Sequence, residues 1–152
     1  HFRIHVGAPL ALYQAIANTH NIDRMVLIDS YSAATARHGW AAYSIVKAAA
    51  QMAAKCASQE LPGTDAIRVF PGAVKTRLVD SVMSSNTETA KSFARMLERG
   101  EFAEPPEVAE FITSLLVDAT KDLLRTNDSW DYNSQTDREK VSRLQSASES
   151  QT

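Results

Sequence analysis

Apolar residues occur along this chain in two different spacings. Short continuous runs with β-branched members, RMVLIDS at 24–30 and DAIRVF at 65–70, predict strands buried on both faces. Helical spacing predicts a first helix from Pro9 to about residue 20 and an amphipathic helix within 105–120. Between the two strands, residues 41–60 are almost all strong helix formers. A strand, a helix and a second apolar strand in this order predict a parallel sheet.

Proline, glycine and capping residues predict where the other helices begin and end. Pro62–Gly63 should end the helix that begins near residue 41. Thr87 is a candidate N-cap for a helix that would end at Gly100. The segment SWDY at 129–132 is a candidate third strand, and residues 134–152 are polar and charged. We therefore predict a polar, mobile tail after the last strand.

The predicted fold class is α/β, as part of a doubly wound Rossmann-type parallel sheet with helices on both faces. Three strands make a narrow sheet, and a doubly wound domain normally has a wider one. We therefore expect further strands to precede His1 in the protein. On this interpretation residues 1–133 are the C-terminal half of a Rossmann-type domain, and residues 134–152 are its tail.

Composition and residue spacing add four expectations. The 16 Lys and Arg residues nearly balance the 18 Asp and Glu residues, which gives no electrostatic reason to expect a nucleic-acid or membrane partner. Cys56 is the single cysteine, which fits a reducing, cytoplasmic compartment. No run of about 18 apolar residues predicts a membrane span, so we expect a soluble protein. No metal site is expected, because the histidines are scattered at His1, His5, His20 and His38.

Three residues suggest chemistry. Tyr43 stands four positions before Lys47, so the two share one face of the predicted helix, and Ser30 stands thirteen positions before Tyr43. A nearby ammonium favours the phenolate, so Lys47 should draw the tyrosine pKa down from about 10 toward neutral pH. Ser30 ends a predicted parallel strand, where open α/β sheets bind ligands. The alternative is a surface helix with an incidental Tyr and Lys, which the placement of Ser30 disfavours.

These residues carry a family resemblance. The segments VLIDSYSA and YSIVK, and the strand AIRVF followed by PGAVKTRL, resemble the C-terminal half of a short-chain dehydrogenase/reductase. Within that superfamily the chain is most similar to the sepiapterin-reductase and benzil-reductase type. The similarity covers about residues 2–133, and its most specific parts are Ser30, Tyr43, Lys47 and the PGxVxT motif at 71–76.

The resemblance implies roles for these residues. Tyr43 would be the general acid or base, Lys47 would lower its pKa and hold the nicotinamide ribose, and Ser30 would orient the substrate carbonyl. The cofactor would be NADP, with NAD possible. Residues implied to contact it are Tyr43, Lys47, Pro71, Gly72, Val74 and Thr76. The resemblance also implies a homodimer or homotetramer, formed through the helix at 41–60 and the one before the catalytic strand.

Two features depart from the family pattern. His5 stands at the position where the family often carries an asparagine that extends a proton relay through water, and a histidine there can either relay protons or serve structure. The glycine-rich turn that presents a helix N-terminus to the pyrophosphate is not in this sequence, because its five glycines are far apart. Nor does the sequence show the residue that would select NAD or NADP.

The sequence therefore predicts an NAD(P)-dependent oxidoreductase that reduces a carbonyl of a small organic molecule. The alternative is a non-catalytic relative or fragment of the family that acts as an oligomerisation or interaction module. The departures at His5 and in the phosphate-binding segment motivate this alternative.

Overall fold

A three-stranded parallel sheet organises the protein. The computed structural model describes residues 2–19, 22–61, 63–85 and 87–149. Neighbouring strands follow the order of the chain, with Arg24 opposite Asp65 and Val69 opposite Trp130. The strands are β1 (Arg24–Ile28), β2 (Asp65–Phe70) and β3 (Trp130–Asp131). The predicted α/β class with a parallel sheet is confirmed.

Helices surround this sheet and connect its strands. A π-helical turn over Arg3–Gly7 precedes the first α-helix, and a 3₁₀ turn over Tyr31–Ala33 follows β1. The α-helices are α1 (Ala8–Thr19), α2 (Ala41–Glu60), α3 (Arg77–Met83), α4 (Glu88–Glu98), α5 (Pro105–Val117), α6 (Lys121–Leu124) and α7 (Gln135–Glu149). Within the described ranges, no helix combines the length and the apolar composition needed to cross a bilayer.

The core has two parts. Ile67 and Val69 of β2 pack with α5 and with Trp130 of β3, which is only 1% exposed. A second cluster joins α1 to α2, with Met25 of β1 packed against it. Burial of these large apolar groups is the main favourable term that holds the helices to the sheet.

Buried alanines let α2 pack closely against its neighbours. The helix extends over the predicted range 41–60, and four of its alanines are buried. Small side chains let the helix approach its neighbours closely, and alanine has the highest helix propensity. The buried alanines are Ala50, Ala53, Ala54 and Ala57. Gly63 is described just beyond the helix, whereas Pro62, predicted to help end it, lies outside the described residues.

The predicted helix boundaries near α4 and α5 are confirmed. The Thr87 hydroxyl accepts a hydrogen bond from the backbone N–H of Ala90 at 3.2 Å, as an N-cap does. Gly100 has φ +67°, the left-handed conformation that glycine adopts readily at the end of a helix. Helix α5 begins with Pro105 and a capping box between Glu104 and Glu107.

Most of the segment predicted to be a polar, mobile tail is helical. Residues 135–149 form α7, while residues 150–152 lie outside the described part of the chain. Val141 is 2% exposed and belongs to the main core cluster, with Leu144 packed against it. The Asp137 carboxylate accepts from the backbone N–H of Asp131 at 3.0 Å, which ties the helix to β3. Two apolar residues at helical spacing and one buried acid are enough to dock an otherwise polar helix.

We predict that Val141→Ala lowers the free energy of unfolding by about 1–3 kcal/mol, because it removes buried methyl groups and leaves a small cavity. Chemical denaturation monitored by circular dichroism measures this loss. The matched control is Val117→Ala, since Val117 is 70% exposed at the end of α5 and should change stability by less than about 0.5 kcal/mol. Equal effects of the two substitutions would show that α7 is not docked.

Candidate active site

The carboxyl ends of β1 and β2 hold the predicted site. The backbone N–H of Asp29 donates to the carbonyl of Val69 at 2.8 Å, which extends the pairing of the two strands beyond Ile28. Ser30 follows with an extended backbone, φ −154° and ψ 141°. This sheet edge is where open parallel sheets place their ligands.

Ser30 starts the 3₁₀ turn that leads away from β1. Its Oγ accepts a hydrogen bond from the backbone N–H of Ser32 at 3.2 Å, and the turn packs against α2. A hydroxyl that accepts this bond still has its own proton to donate. Ser30 is half-buried at the end of the strand, so a substrate oxygen could receive that proton.

Tyr43 and Lys47 meet on one face of α2. The Lys47 ammonium lies 5.8 Å from the centre of the Tyr43 ring, within the range of a cation–π contact. The same Nζ donates to the backbone carbonyl of Ile28 at 2.9 Å, and the residue is buried. Burial lowers the pKa of Lys47, while the charge of Asp29 acts in the opposite direction. The helix thus places a cation next to a phenol at the end of β1.

Aromatic rings border Tyr43. The indole of Trp40 packs edge-to-face on the Tyr43 ring, with centroids 5.2 Å apart. Phe93 of α4 lies 6.2 Å from Trp40 between ring centroids, and it packs in turn on Phe102. One side of the candidate site is therefore an apolar wall built from α2, α4 and the segment after α4.

His5 also reaches Tyr43. Its ring lies edge-on to the Tyr43 ring, with centroids 6.4 Å apart, and it sits in the π-helical turn before α1. Burial lowers the pKa of His5, and the positive charge of Lys47 lowers it further. The imidazole is therefore neutral at pH 7, the form that can both donate and accept a proton. A role for His5 as the family's relay residue stays a prediction.

The PGxVxT motif follows β2 at the same sheet edge. Gly72 has φ +71°, and a Cβ added there would lie 2.5 Å from the Asn133 side chain, so both conformation and space favour glycine. Val74 pairs with Ala103 in an isolated parallel bridge. Thr76 has an extended backbone and precedes α3. The motif is thus held as a defined loop between β2 and α3.

The structure brings the sequence-predicted residues to one region in two groups. Tyr43 and Lys47 are in contact, and Lys47 donates to the carbonyl of Ile28, the last residue of β1 and two residues before Ser30. The loop at 71–76 follows the neighbouring strand. The roles that the sequence assigns to these residues stay predictions. Among the described residues, no group of three or more His, Cys, Asp and Glu side chains is placed to hold a metal ion.

Sequence reasoning missed two neighbours of this site. Asp29 is 3% exposed, and its position as an acidic residue directly after an apolar strand was a signal for a buried charge. Trp40 was the other, and its place three residues before Tyr43 puts it one helical turn away. The contacts of Asp29 with Gln51 and Arg68 depend on how the elements pack, which spacing alone does not give.

Tyr31 is a second phenol near the strand end. Its ring stacks on Phe70 at 5.1 Å between centroids, and its hydroxyl donates to the Asp131 carboxylate. Burial, together with this hydrogen bond and the negative charge of Asp131, raises the pKa of Tyr31 to about 12. Tyr31 therefore keeps its proton at neutral pH, and its hydroxyl is bonded to a carboxylate rather than placed beside a cation.

Comparison with known families identifies the chain. The profile of the family described as enoyl-(acyl carrier protein) reductase, a short-chain dehydrogenase/reductase family, matches residues 3–123. The chain is a short-chain dehydrogenase/reductase. No curated protein matches it at a significant level. The match confirms the superfamily and, with it, an NAD(P)-dependent oxidoreductase in general.

The residues present fit the nicotinamide-ribose end of this dehydrogenase/reductase cofactor. Lys47 has three N–H donors, and its bond to Ile28 leaves two that could bind ribose hydroxyls. Gly72, with positive φ, shapes the backbone of the loop after β2, and the space that a Cβ would take there is filled by the Asn133 side chain. Lys47 would thus hold the ribose, and the loop at 71–76 would border the nicotinamide.

Proposed function

We propose that the protein reduces a carbonyl of a small organic molecule, with Tyr43 as the general acid, assisted by Lys47 and Ser30. The observation that carries this proposal is the buried Lys47 ammonium, held by the carbonyl of Ile28 and placed 5.8 Å from the Tyr43 ring. Burying a cation costs free energy on folding. Its placement beside a phenol therefore favours a role in catalysis.

Each side chain has a defined task in this reaction. The cofactor, when bound, supplies a hydride to the carbonyl carbon. The Ser30 hydroxyl donates a hydrogen bond to the carbonyl oxygen and fixes its position. As the carbonyl π bond breaks, the Tyr43 hydroxyl transfers its proton to that oxygen, and the Lys47 charge stabilises the phenolate that remains. Hydride and proton together convert the carbonyl into an alcohol.

The same proposal covers the loop after β2 and the cofactor. Pro71, Gly72, Val74 and Thr76 would contact the nicotinamide end, and NADP is proposed ahead of NAD. The similarity of the PGxVxT motif to the short-chain dehydrogenase/reductase family supports these contacts. Trp40 and Phe93 place apolar aromatic surface near Tyr43, which favours a carbonyl attached to an apolar or aromatic group.

A loss of NADPH absorbance at 340 nm on adding carbonyl compounds would test the activity. The compounds to be tested are aliphatic, aromatic and ring-fused ketones and aldehydes. The same panel is assayed with NADH to compare the two cofactors. We expect at least one carbonyl compound to oxidise NADPH, and we expect the product to be the corresponding alcohol. If the full-length protein binds NADPH but reduces none of the panel, carbonyl reduction is wrong.

A second candidate is reduction of a carbon–carbon double bond conjugated to a carbonyl, which the description of the matching family favours. Hydride would then go to the β-carbon, and Tyr43 would protonate the oxygen of the resulting enolate to give an enol, which tautomerises to the saturated ketone. Enones in the same assay separate the two activities, because the product is either a saturated ketone or an allylic alcohol.

The alternative hypothesis is that the protein is a non-catalytic interaction module. Titration of NADPH into the full-length protein, followed by tryptophan fluorescence, separates this module from an enzyme, because Trp40 lies against Tyr43 and should report occupancy. Saturable quenching supports the enzyme. Absence of binding supports the module.

We also infer that the protein forms a homodimer or homotetramer through α2. Ile45 and Met52 of this helix are 63% and 59% exposed, which leaves two large apolar side chains in water on the same element. The double variant Ile45→Lys/Met52→Lys should lower the mass seen in sedimentation to that of a monomer. A wild-type protein that sediments as a monomer would overturn this proposal.

A further inference from the structure

A buried carboxylate lies behind Lys47 and has no part in the mechanism described above. The Asp29 side chain is only 1% exposed, although it carries a charge. Three groups donate to it: the backbone N–H of Ser30 at 2.8 Å, Gln51 Nε2 at 2.9 Å, and the guanidinium of Arg68 at 3.5 Å. An acid this buried is kept only where its partners compensate its desolvation.

The partners of Asp29 belong to three parts of the site. Gln51 belongs to α2, one turn after Lys47, and Arg68 belongs to β2. The bond from the Ser30 backbone fixes the residue whose hydroxyl is needed for the reaction. Asp29 thus connects the end of β1 to the helix that carries Tyr43 and Lys47.

The charges around Lys47 give Asp29 a second effect. Lys47 donates to Ile28, the residue directly before Asp29, so the ammonium and the carboxylate sit at the same strand end. The groups that face Lys47 are Tyr43 on its own helix, His5 in the π-helical turn, and Asp29. Of these, Asp29 supplies the negative charge that opposes the loss of the Lys47 proton.

We propose that Asp29 is a positioning residue that keeps Lys47 charged and holds Ser30 in place. It touches neither substrate nor cofactor and acts through these two neighbours. The reaction requires the positive charge of Lys47 beside Tyr43, and burial alone works against that charge. This inference rests on the proposed function for its kinetic consequence, but its electrostatic part can be measured without any activity.

The decisive substitution is Asp29→Asn, which removes the charge and nearly keeps the shape. The pKa of Lys47 should fall, as measured by NMR titration of ¹³C-labelled lysine with Lys47→Arg used to assign the signal. In the kinetic arm, kcat should fall on the order of tenfold at the alkaline end of the pH range, and the deficit should narrow at lower pH because Lys47 is then protonated in both proteins.

Gln51→Met is the matched control. It removes a hydrogen bond to the same carboxylate with a side chain of similar length but leaves the charge of Asp29. The Lys47 titration should stay at the wild-type pH in this variant. An equal displacement in both variants would reduce Asp29 to a structural role, and an unchanged Lys47 titration in Asp29→Asn would overturn the proposal.

Asp29→Asn leaves Arg68 without its ionic partner, so the variant could fail to fold. The double variant Asp29→Asn/Arg68→Met removes both buried charges and serves the same test, with Lys47 again expected to titrate below the wild-type pH. If the NMR result is as expected but no substrate is reduced by wild type, the proposed function fails and the electrostatic role of Asp29 stands.

Discussion

Tyr43→Phe should abolish turnover while leaving cofactor binding nearly unchanged. The substitution keeps the ring and its edge-to-face contact with Trp40, and it removes only the hydroxyl that would give its proton to the substrate oxygen. General acid catalysis by one positioned group is typically worth 10²–10⁴-fold, so kcat should fall by about this factor. Steady-state kinetics and fluorescence titration with NADPH measure the two effects separately.

Tyr13→Phe is the control for this result. Tyr13 is buried in the cluster between α1 and α2, so its substitution tests the loss of a phenol that takes no part in the proposed reaction. Its kcat should match that of wild type. If Tyr43→Phe keeps wild-type turnover, Tyr43 is not the acid, and the enzyme mechanism proposed here is wrong.

Lys47→Ala should lose both activity and cofactor affinity. The variant removes the cation that stabilises the Tyr43 phenolate, and it also removes the two N–H donors proposed to bind the ribose. We expect kcat/KM to fall on the order of 10³-fold, because both the acid and the binding of its cofactor are impaired. The pH dependence of kcat/KM should change as well.

Lys55→Ala on the same helix is the comparison. Lys55 is exposed, so its loss should change neither kcat nor the affinity for NADPH. Circular dichroism of both variants checks that α2 is intact. A Lys47→Ala enzyme with the wild-type pH–rate profile would contradict the electrostatic role given to the lysine.

Local sequence predicted the elements that carry strong periodicity or composition. Helix α2 and strand β2 match their predicted ranges of 41–60 and 65–70, because alanine-rich and β-branched runs have strong intrinsic preferences. The caps at Thr87 and Gly100 were predicted for the same reason, since each acts on backbone groups next to it in the chain.

Segments that depend on partners distant in sequence were missed or misjudged. The short helices α3 and α6 were not predicted, and the π-helical turn at His5 was not foreseen. Helix α7 was predicted to be a mobile tail. Its composition is polar, and contacts with distant residues hold it, among them the burial of Val141 against the core and the hydrogen bond that Asp137 accepts from the backbone of Asp131 in β3.

Sequence by itself determined the family, the order of the three strands along the chain, and the pairing of Tyr43 with Lys47, because helical periodicity places those two side chains together wherever the helix lies. Only the tertiary structure decided what surrounds them. The bond from Lys47 to Ile28, the aromatic wall of Trp40 and Phe93, and the buried Asp29 all join elements that are separate in the chain. Such contacts follow from packing against the sheet, and packing depends on the whole fold rather than on local spacing.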